Sequence, residues 1–204
     1  MWAGLTLGYH VASRLAYVVG VGVALRRQQH QQAFTRHKGP QAGFLQFRRV
    51  AATLMNNDAV SFVLLCVVTR QTLRLPVPGT AAVAGGVLLI AIGAITKIWA
   101  ARCLGSEAYY WHDFFAVGDP VVPELSGPYR FLKNPMYTLG YLQAYGVAVL
   151  CGSWPGLLAA GFDQAAILAF HHLVERPHYE LRTKVAPRQQ DHTPHEQSVS
   201  ETTR

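Results

Sequence analysis

Residues 109–115 read YYWHDFF, residues 127–146 read GPYRFLKNPMYTLGYLQAYG, and residues 171–182 read HHLVERPHYELR. Basic, aromatic and carboxylate side chains here bracket two apolar segments that are together just long enough to cross a membrane and return. Polar groups at the mouths of membrane helices are costly unless they are paired or used. Such a cluster points to a site at a membrane surface, where a polar cofactor meets a lipid-soluble substrate.

Outward from this stretch, the hydropathy divides the chain into five expected spans. The first runs from about Trp2 to Leu25; it is apolar from the start, lacks a basic leader and is expected to be retained. His10 and Arg14 interrupt it one helical turn apart, so both are expected to face other helices or to snorkel. A polar loop, Arg26 to Arg49, leads to a second span from about Val50 to Thr69. Asn56-Asn57-Asp58 falls inside that span: either the span is short, or the triplet faces the bundle interior. The third span is expected over about Gly79 to Leu104, with Lys97 near its end. Pro135 suits the first turn of a fourth span ending near Leu150, because no N–H is needed there. Gly152-Ser153-Trp154-Pro155-Gly156 is a tight turn, and the fifth span returns from Leu157 to Val174. Residues 1–186 thus read as one all-α membrane domain, with the motifs in 105–184, and residues 187–204 as a disordered polar tail.

Composition agrees with this reading. Half of the 204 residues are apolar and 14% are charged, well below the usual quarter. The net charge of +7 does not argue for nucleic acid, because the basic residues lie in loops between apolar runs. Fourteen of them fall on the side of the first loop, third loop and C-terminus, and only Arg70 and Arg74 on the other. The positive-inside rule then puts the N-terminus outside, and the C-terminus and all motif residues in the cytoplasm. Cys66, Cys103 and Cys151 form no metal or disulfide pattern. The adjacent His171 and His172 point about 100° apart on a helix, so no metal site is expected.

Lys133-Asn134-Pro135-Met136-Tyr137, followed after a helix pair by Val174-Glu175-Arg176-Pro177-His178, resembles the membrane methyltransferase superfamily of phospholipid and isoprenylcysteine carboxyl methyltransferases. The 110–115 and 136–141 blocks look most like its yeast-type phosphatidylethanolamine methyltransferase branch. The resemblance implies a helical membrane enzyme that uses S-adenosylmethionine and a phospholipid acceptor, most simply the amine of phosphatidylethanolamine. The same superfamily methylates isoprenylcysteine carboxylates and small thiols. Its fold also extends to NADPH-dependent membrane reductases, and a non-enzymatic membrane protein is the remaining alternative.

On this resemblance Glu175 binds the cofactor, and its carboxylate suits the cofactor's ammonium. Asn134, Pro135, Tyr137, Gly140 and Tyr141 complete the cofactor set with Pro177 and His178. Gly140 either lets the cofactor lie on the backbone or serves helix packing. His112, Asp113 and Tyr110 are the candidates beside the reacting amine, because an ammonium must lose a proton before it can attack. The alternative for that block is an interfacial aromatic belt. Arg130 and Lys133 are candidates for a lipid phosphate or the cofactor carboxylate. The sequence does not fix the oligomeric state.

Overall fold

A computed structural model describes residues 1–116 and 126–182. The expected tail beginning at 187 lies outside them. The described residues are helical, with turns and no strand.

Four helices are long and apolar enough to cross a membrane, as in an integral membrane protein: α1 (Trp2–Gln31), α2 (Gly39–Val68), α3 (Gly79–Leu104) and a rod over Trp154–Arg182. A four-residue α4 (Ser106–Tyr109) follows α3. The fifth apolar segment, Leu139–Cys151, is shorter; it is a 3-10 turn followed by α5 (Leu142–Cys151). The rod begins as α6 (Trp154–Phe170), passes through a π-helical turn, His171–Glu175, and ends at Arg182.

Three boundaries differ from the sequence reading. The polar loop expected over Arg26 to Arg49 is helical except for residues 32–38. Its Gln, Arg and Lys residues are good helix formers, and hydropathy mistakes charge for a helix end. Pro40 sits in the first turn of α2, where its missing N–H costs nothing. Pro135 does not start a helix. It lies in a turn closed by Tyr137 and Thr138 N–H groups on the Asn134 carbonyl, and Gly140 N–H bonds the Pro135 carbonyl at 2.9 Å. The last helix overruns the expected Val174 by a further two turns, so Pro177 does not end it.

The helices pack as antiparallel neighbours, α1 on α2 and α3 on α5. Leu25, Phe47, Leu65, Cys66 and Ile167 are fully buried. Val83, Val87, Leu88 and Ile95 of α3 are exposed, as a helix facing lipid requires. Where α3 meets α5, small residues let the backbones close up. A Cβ on Gly146 would stand 2.6 Å from the Gly86 carbonyl oxygen, and one on Gly93 would overlap the Gln143 backbone nitrogen. Backbone cannot swing aside as a flexible side chain can. Gly93→Ala is therefore expected to destabilise the protein by about 1–3 kcal/mol or more. Thermal unfolding in detergent measures this, and an unchanged midpoint would refute the close approach.

The other end of the α5–α6 hairpin is fixed by capping. Ser153 accepts a hydrogen bond from the Gly156 N–H at 2.9 Å and shares a 2.6 Å hydrogen bond with Thr69. Gly152, with φ +60°, closes α5 in the left-handed conformation that glycine tolerates best. The α2–α3 connector is tied to this turn by Gln71 N–H to the Cys151 carbonyl and Leu73 N–H to the Gly152 carbonyl. With this end fixed, the ends of α1, α3 and α6 and the starts of α2 and α5 gather at the opposite one.

Candidate active site

Glu175 lies at that gathered end and is 6% exposed. Its Oε1 accepts from the Trp111 indole N–H at 2.6 Å and the Tyr137 hydroxyl at 2.7 Å. Its Oε2 lies 2.6 Å from Nδ1 of His171, one turn earlier on the same rod. A buried carboxylate needs such partners. A carboxylate offers about four acceptor sites, so three bonds leave one for a ligand donor. Trp111 is held at φ +58°, an uncommon conformation for a bulky residue, and its indole bond to Glu175 helps to over-determine it. Burial, then the nearby Glu175 charge, pushes the Tyr137 hydroxyl pKa well above its ordinary value. Tyr137 therefore stays protonated and donates.

These residues line an outer cavity of about 320 Å³, with Asn134, Lys133, Tyr109, Tyr129 and Tyr179 also in its wall. Aromatic faces suit a flat heterocycle, the carboxylate suits an ammonium, and Lys133 suits a carboxylate. The groups present therefore fit an aminoacyl nucleoside such as S-adenosylmethionine.

Four residues named from the sequence meet here: Glu175, Tyr137, Asn134 and Lys133. The others lie elsewhere. Pro135 is buried within its turn. A Cβ on Gly140 would meet the Pro135 carbonyl oxygen at 3.3 Å and Lys97 Cβ at 3.5 Å, so this glycine packs against α3 and its own turn. Tyr141 faces a second cavity, described below. Pro177 and Arg130 are exposed. Tyr110 lies under the Arg48 guanidinium, 5.1 Å from ring centre to Cζ. His112 packs edge-on against Phe44 and stands 3.8 Å from Glu107.

Asp113 and His178 pair at 2.9 Å in the wall of another cavity, and Arg182 bonds the Asp113 carboxylate at 2.7 Å. His178 also stacks on Phe114 at 3.6 Å. This junction ties the end of the rod to the 112–115 turn. Burial alone would raise the Asp113 pKa, but the His178 hydrogen bond and the Arg182 charge outweigh it and hold the carboxyl below its usual range. A depressed carboxylate stabilises the fold above its unfolded pKa of about 3.9, and that contribution is lost as pH falls through the folded value. Asp113→Asn is thus expected to flatten the acid limb of a stability–pH curve below about pH 4. Parallel curves for the two proteins would refute this.

Trp111, His171, Tyr129 and Tyr179 were not assigned to the cofactor from the sequence. Trp111 and His171 reach Glu175 from 64 and 4 residues away. An acid at the end of a span demands donors, and His171, one turn earlier, was the legible one.

Below the outer cavity, three of the helices share a buried ion cluster. Arg14 of α1 pairs through Nη2 with Asp58 of α2 at 2.8 Å and through Nε with Asp163 of α6 at 2.7 Å. His10 lies 3.3 Å from Asp163 and 2.9 Å from the Ser61 hydroxyl. Asn57 links Tyr9 and Ser13, each at 2.6 Å. The 56–58 triplet therefore lies within a full-length helix, with Asp58 turned inward and Asn56 exposed. Asp58 Oδ1 is buried and has no hydrogen-bond partner among the described residues. The cluster borders an inner cavity of about 300 Å³, which shares Tyr109, Trp111, Met136 and Tyr137 with the outer one.

Residues 81–181, which hold both cavities' motif residues, match the profile of the family described as phospholipid methyltransferase. The chain belongs to that family. It is 32% identical over 154 residues to the phosphatidylethanolamine N-methyltransferase of Chaetomium globosum, covering 72% of this chain and 16% of that protein. Against the protein of the same name from Fusarium vanettenii it is 32% identical over 139 residues, 67% of this chain and 14% of the relative. Phosphatidylethanolamine N-methyltransferase 1 of Vanderwaltozyma polyspora is 26% identical over 222 residues, 88% of this chain and 26% of the relative. The chain thus spans about a quarter or less of the length of these relatives. No solved structure matches it.

Proposed function

We propose that the chain transfers a methyl group from S-adenosylmethionine to the amine of phosphatidylethanolamine. The observation that carries this is Glu175: a buried carboxylate, oriented by Trp111, Tyr137 and His171, in the wall of a cavity at the membrane-surface end of the bundle. The relatives' names support the acceptor. When bound, S-adenosylmethionine supplies an activated methyl group and a neutral thioether leaving group.

The remaining work falls to the chain. Glu175 holds an ammonium through its spare lone pair, and its three donors fix the carboxylate's direction. Lys133 and the Asn134 amide are in reach of a ligand carboxylate. The aromatic wall of Tyr109, Trp111 and Tyr137 faces both cavities and cradles the amine as its methyl count rises. The amine's proton must leave for its lone pair to attack. Asp113 and His112 line neither cavity, and Asp113 is given the role of anchoring the rod. The unequal distribution of basic residues supports a cytoplasmic position for this end, where the cofactor is made.

The test is to incubate purified protein with methyl-labelled S-adenosylmethionine and total lipid extract, then separate the lipids. Label is expected in the mono-, di- or trimethylated head groups. Label in prenylated peptide or thiol alone would replace the acceptor, and none in any acceptor would overturn the reading.

A further inference from the structure

The inner cavity has three levels. Its roof is the aromatic wall shared with the outer cavity. Its middle carries Lys97, Arg14, Asp58 and Asp163, and its floor is apolar: Phe62 and Val63 of α2, Ile90 of α3 and Val147 of α5. α2 and α3 do not pack along each other, and Val63 is 48% exposed where they part. An opening between two apolar helices at this depth faces acyl chains rather than water.

Arg14 is committed to its two aspartates. Lys97 is the cation left over. Its Nζ stands 5.9 Å from the Tyr141 ring centre and has no hydrogen bond or ion pair with a described residue. Formally the two aspartates balance Arg14 and Lys97, so the cavity favours a neutral ligand with separated charges over a purely anionic one. The unsatisfied Asp58 Oδ1 adds a need for a donor or a cation. A zwitterionic head group carries both signs, and its acyl chains match the floor.

We propose that the inner cavity is a binding site for a phosphoethanolamine-type membrane lipid. The lipid enters between α2 and α3, and its phosphate is held by Lys97. The amine then lies under the wall of Tyr109, Trp111 and Tyr137, with Glu175 on the far side. This rests on the proposed methyl transfer for the lipid's role as acceptor. The site itself rests on the cavity. It leaves Lys133 to the outer cavity and gives the exposed Arg130 no part.

The test uses the full chain in bilayers with a phosphatidylethanolamine carrying a diazirine on one acyl chain. After irradiation, the adducts are mapped by mass spectrometry. Adducts are expected on α2 and α3 around Val63 and Ile90. They should fall about tenfold in Lys97→Gln and recover in Lys97→Arg, the fold-change one charge-assisted hydrogen bond makes at its weaker end. In turnover, Lys97→Gln should raise KM for the lipid with kcat and cofactor affinity little changed. Labelling spread evenly over the lipid-facing surface, or unaffected by Lys97→Gln, would overturn the site. Should Lys97→Gln not fold, Val63→Trp narrows the mouth without touching a charge. Loss of labelling then supports the site and full labelling overturns it. Specific labelling without methyl transfer would overturn the proposed function and leave the lipid site standing.

Discussion

Glu175→Gln is expected to weaken S-adenosylmethionine binding by about ten- to a hundredfold, the worth of a charge-assisted hydrogen bond of roughly 1.5–3 kcal/mol. The amide keeps the shape of the carboxylate but loses its charge. It also turns one acceptor into a donor, so it cannot receive from Trp111, Tyr137, His171 and a ligand ammonium together. Calorimetry on the two proteins reads the change directly, with circular dichroism as a check on folding. Equal affinities would remove Glu175 from the cofactor site. A loss of turnover without a loss of affinity would move it toward the reacting amine.

The second large effect concerns stability. Arg14→Met leaves Asp58 and Asp163 buried, close together and without their shared cation. Removing one partner of a buried ion pair costs about 3–5 kcal/mol, because the remaining charge has neither water nor a partner. For a chain of this size each kcal/mol moves the thermal midpoint by about 2–4 °C, so the drop should exceed about 6 °C. Arg14→Lys should recover part of it, since a point charge cannot grip both carboxylates as the guanidinium fork does. Replacing all three residues by apolar ones of similar volume should be far milder than Arg14→Met alone. If Arg14→Met unfolds with the wild type, the cluster holds nothing together.

Much of the architecture was legible because lipid allows little choice. Runs of apolar residues long enough to cross must be helices, and α1, α2, α3 and the last rod fall where hydropathy put their centres. Their ends were less legible. Arg26 and Arg27 look like a stop to a hydropathy scale, yet they extend a helix readily once it leaves the bilayer. The site split along similar lines. Glu175, Tyr137, Asn134 and Lys133, which line one cavity, could be grouped from the sequence because their motifs are local. Trp111 was read as one of several interfacial aromatics, since nothing in the 109–115 run says which ring crosses 64 residues of sequence to reach Glu175. Asp163 escaped notice inside an apolar run. Its presence there, with Arg14 and Asp58 in other spans, was the available sign of a shared partner.

The π-helical turn at His171–Glu175 sets two phases on one rod. An α-helix returns to the same face every 3.6 residues, and a widened turn shifts that count for everything beyond it. Asp163 and Ile167 below the turn address the bundle, while Glu175, His178 and Arg182 address the 111–115 and 134–137 segments above it. The joint thus works as a fixed angular offset between an anchor and a reader. The lower half can follow the demands of the hydrocarbon core, while the upper half keeps its own bearing on the cavity wall. A residue added or lost within those five positions would leave both halves helical and rotate one against the other, so spacing across the turn matters as much as the side chains on either side.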